Sequence, residues 1–264
     1  MSYYFNEIEH LHILNHRPLT GTSTIVGVLS KPLTYWASGK ACEVFGWTPT
    51  KTDKQERLKA AKEVLEVVYT LTPDKYLAML DKAYKNHKTS LDKSADKGID
   101  LHAELESYIK DCMAGEPQTY DQRIVPFINW ATENVKKWLW SEAHCYSEKL
   151  WVGGICDAGA IMNDDSVALI DFKSSKAVYT SHWLQCGGYA LEIEENGLFD
   201  KDGKRIWNDY DPIHIDKLIV VPFGAEVVIP VENKVNIKLY KEGFKNAVGL
   251  YRLIGLEETL NEGR

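Results

Sequence analysis

Two short stretches hold residues of the types that hydrolytic chemistry needs. The first is Gly153-Gly154-Ile155-Cys156-Asp157, and the second is Leu169-Ile170-Asp171-Phe172-Lys173-Ser174-Ser175. On a strand, Asp171 and Lys173 are two residues apart and share one face. The rest of that strand is Val167, Ala168, Leu169, Ile170 and Phe172, so an acid and a lysine there are costly unless paired or bound to metal. Asp157, on the preceding strand, supplies a second carboxylate. Carboxylates side by side repel, and a divalent cation relieves the repulsion. Hard oxygen ligands without clustered cysteine favour Mg²⁺ or Mn²⁺ over zinc. A lysine beside such an ion can orient or deprotonate the attacking water, or stabilise charge developing on a phosphate. The plainer readings stand beside this one: a strand ion pair for Asp171 and Lys173, and a strand-end acid for Asp157.

Register supplies a check on the shared metal. Asn163-Asp164-Asp165-Ser166 is turn chemistry. If those four residues are the whole loop, Met162 pairs with Val167 and Asp157 falls opposite Phe172, facing away from Asp171. A shared metal requires a three- or five-residue loop, or a bulge.

The elements that must position these residues follow from spacing. Residues 1–30 read as short strands around a turn at 15–18, with 21–28 rich in Thr, Ile and Val. Lys31-Pro32 suits a helix start. Leu58, Ala61, Leu65 and Val68 mark a helix over 53–69. Another begins at Thr72-Pro73-Asp74 with Tyr76, Leu77, Leu80 and Tyr84 on one side, a third near 94–96, and a fourth runs from about Tyr120 to Trp138. Strands are expected at 142–147, 151–162 and 167–173, a helix at 182–194, a hairpin-type turn at 201–204, strands at 217–223 and 226–231, and a closing helix over 235–260. That order predicts an α/β fold, a mixed central sheet flanked by helices.

In this order the motifs resemble the PD-(D/E)XK nuclease superfamily, and more narrowly its RecB-type branch. They are Gly154-x-x-Asp157, a short turn, Asp171-x-Lys173-Ser174-Ser175, and Gln185-x-x-x-Tyr189 on a helix. An upstream helix carries Gly98-Ile99-Asp100-Leu101-His102, as that branch often does. Thr20-Gly21-Thr22-Ser23-Thr24, with Lys31-Pro32 and Tyr35-Trp36-Ala37 following, is similar to phage exonucleases of the branch and to mitochondrial genome maintenance exonucleases. The resemblance covers residues 95–195 well and 10–40 loosely, and leaves 41–94 and the C-terminal third unmatched.

It implies a restriction-endonuclease-like fold, a single nuclease domain over 1–264 with 41–94 as a helical arch or gate. His102, Asp157, Asp171 and the backbone carbonyl of Phe172 would hold one or two Mg²⁺ or Mn²⁺ ions. Lys173 would be the catalytic lysine, with Asp171 and Asp157 as its acidic partners. Gln185, Tyr189, Ser174, Ser175, Thr24, Tyr35 and Trp36 would meet DNA, single-stranded or double-stranded with an end, and products would carry 5′-phosphate. A single-strand annealing or recombination protein is the implied partner. The third acidic position is Asp171 rather than Glu, which the resemblance allows. No cysteine follows Cys186, so no iron–sulfur cluster is expected. Glu106, one helical turn beyond His102, is read as a further ligand, a partner of the histidine, or a solvated glutamate. Glu142 lies on the strand before the hairpin, where related nucleases sometimes have a glutamate.

Composition is that of an ordinary globular chain: 264 residues, 44% hydrophobic and 26% charged. Five cysteines without a CxxC pair argue against a disulfide framework and for a reducing cytosol, the bacterial host's if the chain is phage-encoded. No apolar run approaches the roughly 18 residues of a membrane span, and no basic start precedes an apolar run as in a signal peptide. The net charge of -7 weighs against a tight nucleic-acid grip. It divides unevenly: residues 1–100 hold 14 Lys+Arg and 12 Asp+Glu, and residues 101–264 hold 17 and 26. The expectation is modest, salt-sensitive, metal-assisted DNA binding. Two competing functions remain open, a nuclease-fold DNA-binding module without turnover and a hydrolase of small phosphates.

Overall fold

The computed structural model describes residues 2–29, 34–47, 53–116, 118–206, 212–224, 230–233 and 235–262, with backbone alone at 34–36, 90–100 and 257–262. In chain order the elements are β1 Tyr3–Asn6, β2 Leu11–Leu14, β3 Arg17–Pro18, β4 Thr20–Gly21, α1 Thr22–Val26, α2 Thr34–Val44, α3 Lys54–Tyr69 and α4 Pro73–Ala114. They continue with α5 Val125–Asn134, β5 Val135–Ser147, β6 Val152–Met162, β7 Val167–Lys173, α6 Thr180–Asn196, β8 Leu198–Phe199, β9 Arg205–Ile206, β10 Lys217–Pro222, β11 Val231–Glu232 and α7 Ile237–Glu262. The chain divides into two compact units, residues 1–30 with 98–264, and residues 31–97.

The larger unit is built on a mixed sheet of order β11-β10-β7-β6-β5-β8-β9, in which β10 and β7 run parallel. Alternation along β7 sorts its side chains. Ala168, Ile170 and Phe172 join Leu101, Leu105 and Ile109 of α4 and Phe127 of α5 in one core. Val167 and Leu169 join Cys186, Tyr189, Ala190 and Ile193 of α6 in another. Helices therefore cover both faces, which explains why β7 reads as an unbroken apolar run apart from Asp171 and Lys173. Helix α7 lies on α6, where the backbone of Tyr240 and the ring of Phe244 fill the space a side chain at Gly187 or Gly188 would need.

Several expectations are corrected. Beyond Gly21, which ends β4, residues 22–28 do not form a strand. Thr22, Ile25 and Val26 are the buried positions, an i, i+3, i+4 spacing that makes the segment helical despite its β-branched content. The helices expected from 72 and from 94 are one element, α4. Helix α5 stops at Asn134, and Val135 to Trp138 pair with β6 as the start of β5. The strand expected at 226–231 falls largely outside the described residues, as does the helix start at Lys31-Pro32. Among the described residues no helix is long and apolar enough to cross a membrane.

One buried acid fixes α1 to α6. Glu192 is fully buried; the Thr22 hydroxyl donates to its Oε1 at 2.5 Å and the Cys145 thiol lies 3.3 Å from Oε2. Burial, only partly opposed by those two contacts, pushes its carboxyl up to about 8. In the unfolded chain the group ionises near 4.5, so between that value and about 8 the native state holds a proton that the unfolded state has lost. Stability must fall as pH rises through this window. Urea midpoints at pH 5.5, 7 and 8.5 should decline in the parent and decline less steeply in Glu192→Gln. Parallel declines would show that Glu192 is not the group responsible.

Candidate active site

Strands β6 and β7 pair from Ile161↔Val167 to Ala158↔Ile170. The loop is thus five residues, 162–166, because Met162 N–H donates to Ser166 O across the turn and Asp165 takes the left-handed conformation, φ 64°. The four-residue loop, which would have turned Asp157 away, does not form. Continued by one step, this register sets Asp157 across from Asp171.

The strands part at that step. The edge of β6 that β7 leaves is taken up again by β4, parallel, at Thr20↔Val152 and Gly21↔Gly153. From Gly154 to Asp157 no described strand pairs with it. Within this gap the Phe172 N–H donates to Asp157 Oδ2 at 2.6 Å, so a side chain takes the place of a ladder partner. Gly154 is required here, since a Cβ would sit 2.4 Å from the Tyr189 ring and 3.0 Å from the Thr22 hydroxyl.

Two groups of side chains lie on either side of Phe172 at the gap. Asp171 is only 1% exposed, and Lys173 Nζ lies 2.9 Å from its Oδ1 and 2.7 Å from its Oδ2. Oδ2 nevertheless accepts no well-aligned hydrogen bond. Burial pushes the Asp171 carboxyl up to about 6; Lys173 opposes the rise and Asp157 adds to it. Burial alone would lower Lys173, but the charges of Asp171 and Asp157 outweigh it and hold the ammonium protonated, above its ordinary value.

On the other side of Phe172, His102 stands edge-on to the Phe172 and Phe223 rings, at 5.7 and 6.5 Å between centroids. Its Nε2 is 3.3 Å from Asp157 Oδ1 and its Nδ1 is 3.8 Å from Glu142 Oε1. Burial works against the imidazolium, yet the Asp157 hydrogen bond and the Asp157, Glu142 and Glu106 charges raise its pKa overall. His102, Glu106 and Glu142 can each offer one donor atom, all within 4.8 Å of one another. Glu106 is also paired with Lys110 one turn along α4.

The donor set differs from the expected one in emphasis. His102 and Asp157 are in contact, and Asp171 is in contact with Lys173. The tightest potential ligand group among the described residues is instead His102 with Glu106 and Glu142. Glu142 adopts φ 47°, an uncommon conformation for a side chain of its size. Burial, then repulsion from Glu106 and Asp157, raises its pKa, with His102 and Lys110 opposing. Relieving both strains should stabilise the fold: Glu142→Gly is expected to gain about 1 kcal/mol in urea unfolding and to weaken Mn²⁺ binding by calorimetry. Loss of stability with unchanged Mn²⁺ affinity would remove Glu142 from the site.

Glu106 and Glu142 with the His102 imidazole offer donors that suit a hard divalent ion such as Mg²⁺ or Mn²⁺, while Asp157 contacts His102 and Asp171 pairs with Lys173. Other expected residues are placed differently. Gln185 and Tyr189 are buried, and the Gln185 amide donates to the Tyr189 hydroxyl at 2.7 Å. Ser174 and Thr24 are exposed, while the Ser175 hydroxyl donates to Ala177 O. The side chains of Tyr35 and Trp36 lie outside the described residues. The chain matches no protein-family model, and no curated protein matches it.

Proposed function

We propose that the chain is a metal-dependent deoxyribonuclease with a restriction-endonuclease-like fold. In this reading it hydrolyses phosphodiester bonds from strand ends, in phage-type recombination, repair or replication in a bacterial cytosol. One observation carries the reading: the five-residue loop gives a register that, continued one step past Ala158↔Ile170, sets Asp157 across from Asp171, with Lys173 paired to Asp171 and the Phe172 N–H held by Asp157.

His102, Asp157 and Asp171, with Glu142 and Glu106 at hand, would hold the ions, and the Phe172 carbonyl follows directly on the N–H that Asp157 binds. When bound, such an ion polarises the scissile phosphate and lowers the pKa of a coordinated water. The protein's own groups do the rest. Lys173, kept charged by Asp171, is set to donate to a phosphoryl oxygen or to orient the attacking water rather than to remove its proton. Asp157, held by the Phe172 N–H and by His102, cannot swing away. The Phe172 and Phe223 rings wall off one side of the imidazole from water. Exposed Ser174 follows Lys173 where a neighbouring phosphate would lie.

Comparing two substrates in Mg²⁺ tests the substrate class. Labelled linear DNA should be digested, and a chromogenic phosphodiester should turn over slowly at most. Turnover of the small ester without digestion of DNA would instead indicate a small-phosphate hydrolase.

A further inference from the structure

The smaller unit is electrically unlike the rest of the chain. Residues 31–97 carry 13 Lys+Arg against 9 Asp+Glu, whereas the remaining residues carry 18 against 29. Within it, Ala60, Ala61, Val64 and Val68 form the covered side of α3, and Met79, Ala83 and His87 the covered side of α4. Large apolar and aromatic residues lie on the uncovered sides. On α3, Leu58, Leu65 and Tyr69 are exposed, and Lys62 shares their stripe by helical spacing. On α4, Leu77, Leu80 and Tyr84 are exposed with Lys88 on the same stripe, and Tyr76 stands beside them. Tyr69 is 85% exposed and Tyr84 79%. No ion pair joins Lys62, Lys75, Lys82, Lys85 or Lys88 to a described residue.

We infer that these faces of α3 and of α4 up to Thr89 form a binding surface for single-stranded nucleic acid. The inference takes its ligand class from the nuclease reading and adds the strand form and the residues that hold it. Lysines with no ion-pair partner among the described residues offer charge complementary to a phosphate backbone, in a chain whose other unit is acidic. Exposed tyrosines offer flat rings on which unpaired bases stack, a contact worth ~1–3 kcal/mol per base. A duplex keeps its bases stacked on one another and cannot use the tyrosines. A protein partner would favour a contact centre depleted of lysine, whereas here lysines interleave with the rings.

The test uses the full chain in EDTA, which suppresses metal-dependent cleavage, and a fluorescent oligothymidylate of about 20 nucleotides followed by anisotropy. Oligothymidylate should bind more tightly than a duplex of equal length. Tyr69→Ala with Tyr84→Ala should raise the Kd about tenfold or more. Lys62→Gln with Lys88→Gln should weaken binding and flatten the log–log salt slope by about 1.4, near 0.7 per lost phosphate contact. All four residues are solvent-facing, so folding is not at stake. Unchanged affinity in both double variants overturns the inference, as does equal affinity for the duplex. So does an effect of the variants on self-association alone, by sedimentation, which would assign the surface to a second copy of the chain. If the parent digests DNA while the variants bind like the parent, the surface falls and the nuclease reading stands. Residue-dependent binding without digestion by the parent gives the reverse.

Discussion

Lys173→Met is expected to lower Mg²⁺-dependent DNA hydrolysis by roughly 10²–10⁴-fold, the range for a positioned proton-donating or charge-stabilising group. It should also destabilise the fold, because Asp171 would keep its burial and lose its counter-charge. Removing one member of a buried pair costs about 3–5 kcal/mol. The two effects can be separated. In Asp171→Asn with Lys173→Met, the site is apolar and amide on both sides, so most of the lost stability should return while activity does not. Urea unfolding and initial rates on labelled DNA read both quantities. Because Asp171 is itself a proposed ligand, Lys173 is judged on the single variant: Lys173→Met with parental initial rates where urea unfolding shows it fully folded would reduce Lys173 to a structural ion-pair partner.

Asp157→Asn is expected to have the second largest effect. The amide keeps the size of the carboxylate and can still accept from the Phe172 N–H through its oxygen, so the gap between β6 and β7 should survive. What disappears is the charge that His102 and a bound cation need. Activity should fall about 10²-fold or more, and the remaining activity should require higher Mn²⁺. His102→Ala should shift the Mn²⁺ requirement in the same direction by about ten- to a hundredfold, a range known for groups that orient metal ligands. Metal titrations of the rate give both shifts. An Asp157→Asn enzyme with parental rate and metal dependence would exclude Asp157 from ion binding.

Much of the site was legible because its residues are chemically conspicuous where they stand. Asp171 and Lys173 interrupt an apolar strand, and Asp157 ends a Gly-x-x-Asp run, so their types alone pose the question of what they pair with. The answer depended on one residue of loop length. The sequence showed the turn at 163–166 but not that Met162 opens it, since that follows from the left-handed Asp165 and the Met162–Ser166 hydrogen bond. Glu142 drew attention only as a glutamate on the strand before the hairpin. It lies beside His102 and has a positive φ within β5, neither of which any propensity signals. Glu192, buried and hydrogen-bonded to a threonine far away in the chain, looks in sequence like any acid on a helix. The helical Thr22–Val26 was concealed by β-branched residues, whose strand preference yields when burial falls at helical spacing. The smaller unit showed its lysines and tyrosines in sequence, but not that the tyrosines face solvent.

The most direct measurement places the parent and Asp171→Asn on end-labelled linear DNA and on a closed circle of the same sequence, in Mg²⁺ and in EDTA. Label release from the linear DNA is expected for the parent in Mg²⁺ alone, with an intact circle, and no release for Asp171→Asn in either condition. A parent that binds DNA without turnover in Mg²⁺ or Mn²⁺, or an Asp171→Asn variant that digests the linear substrate as fast as the parent, would contradict the proposed metal-dependent nuclease.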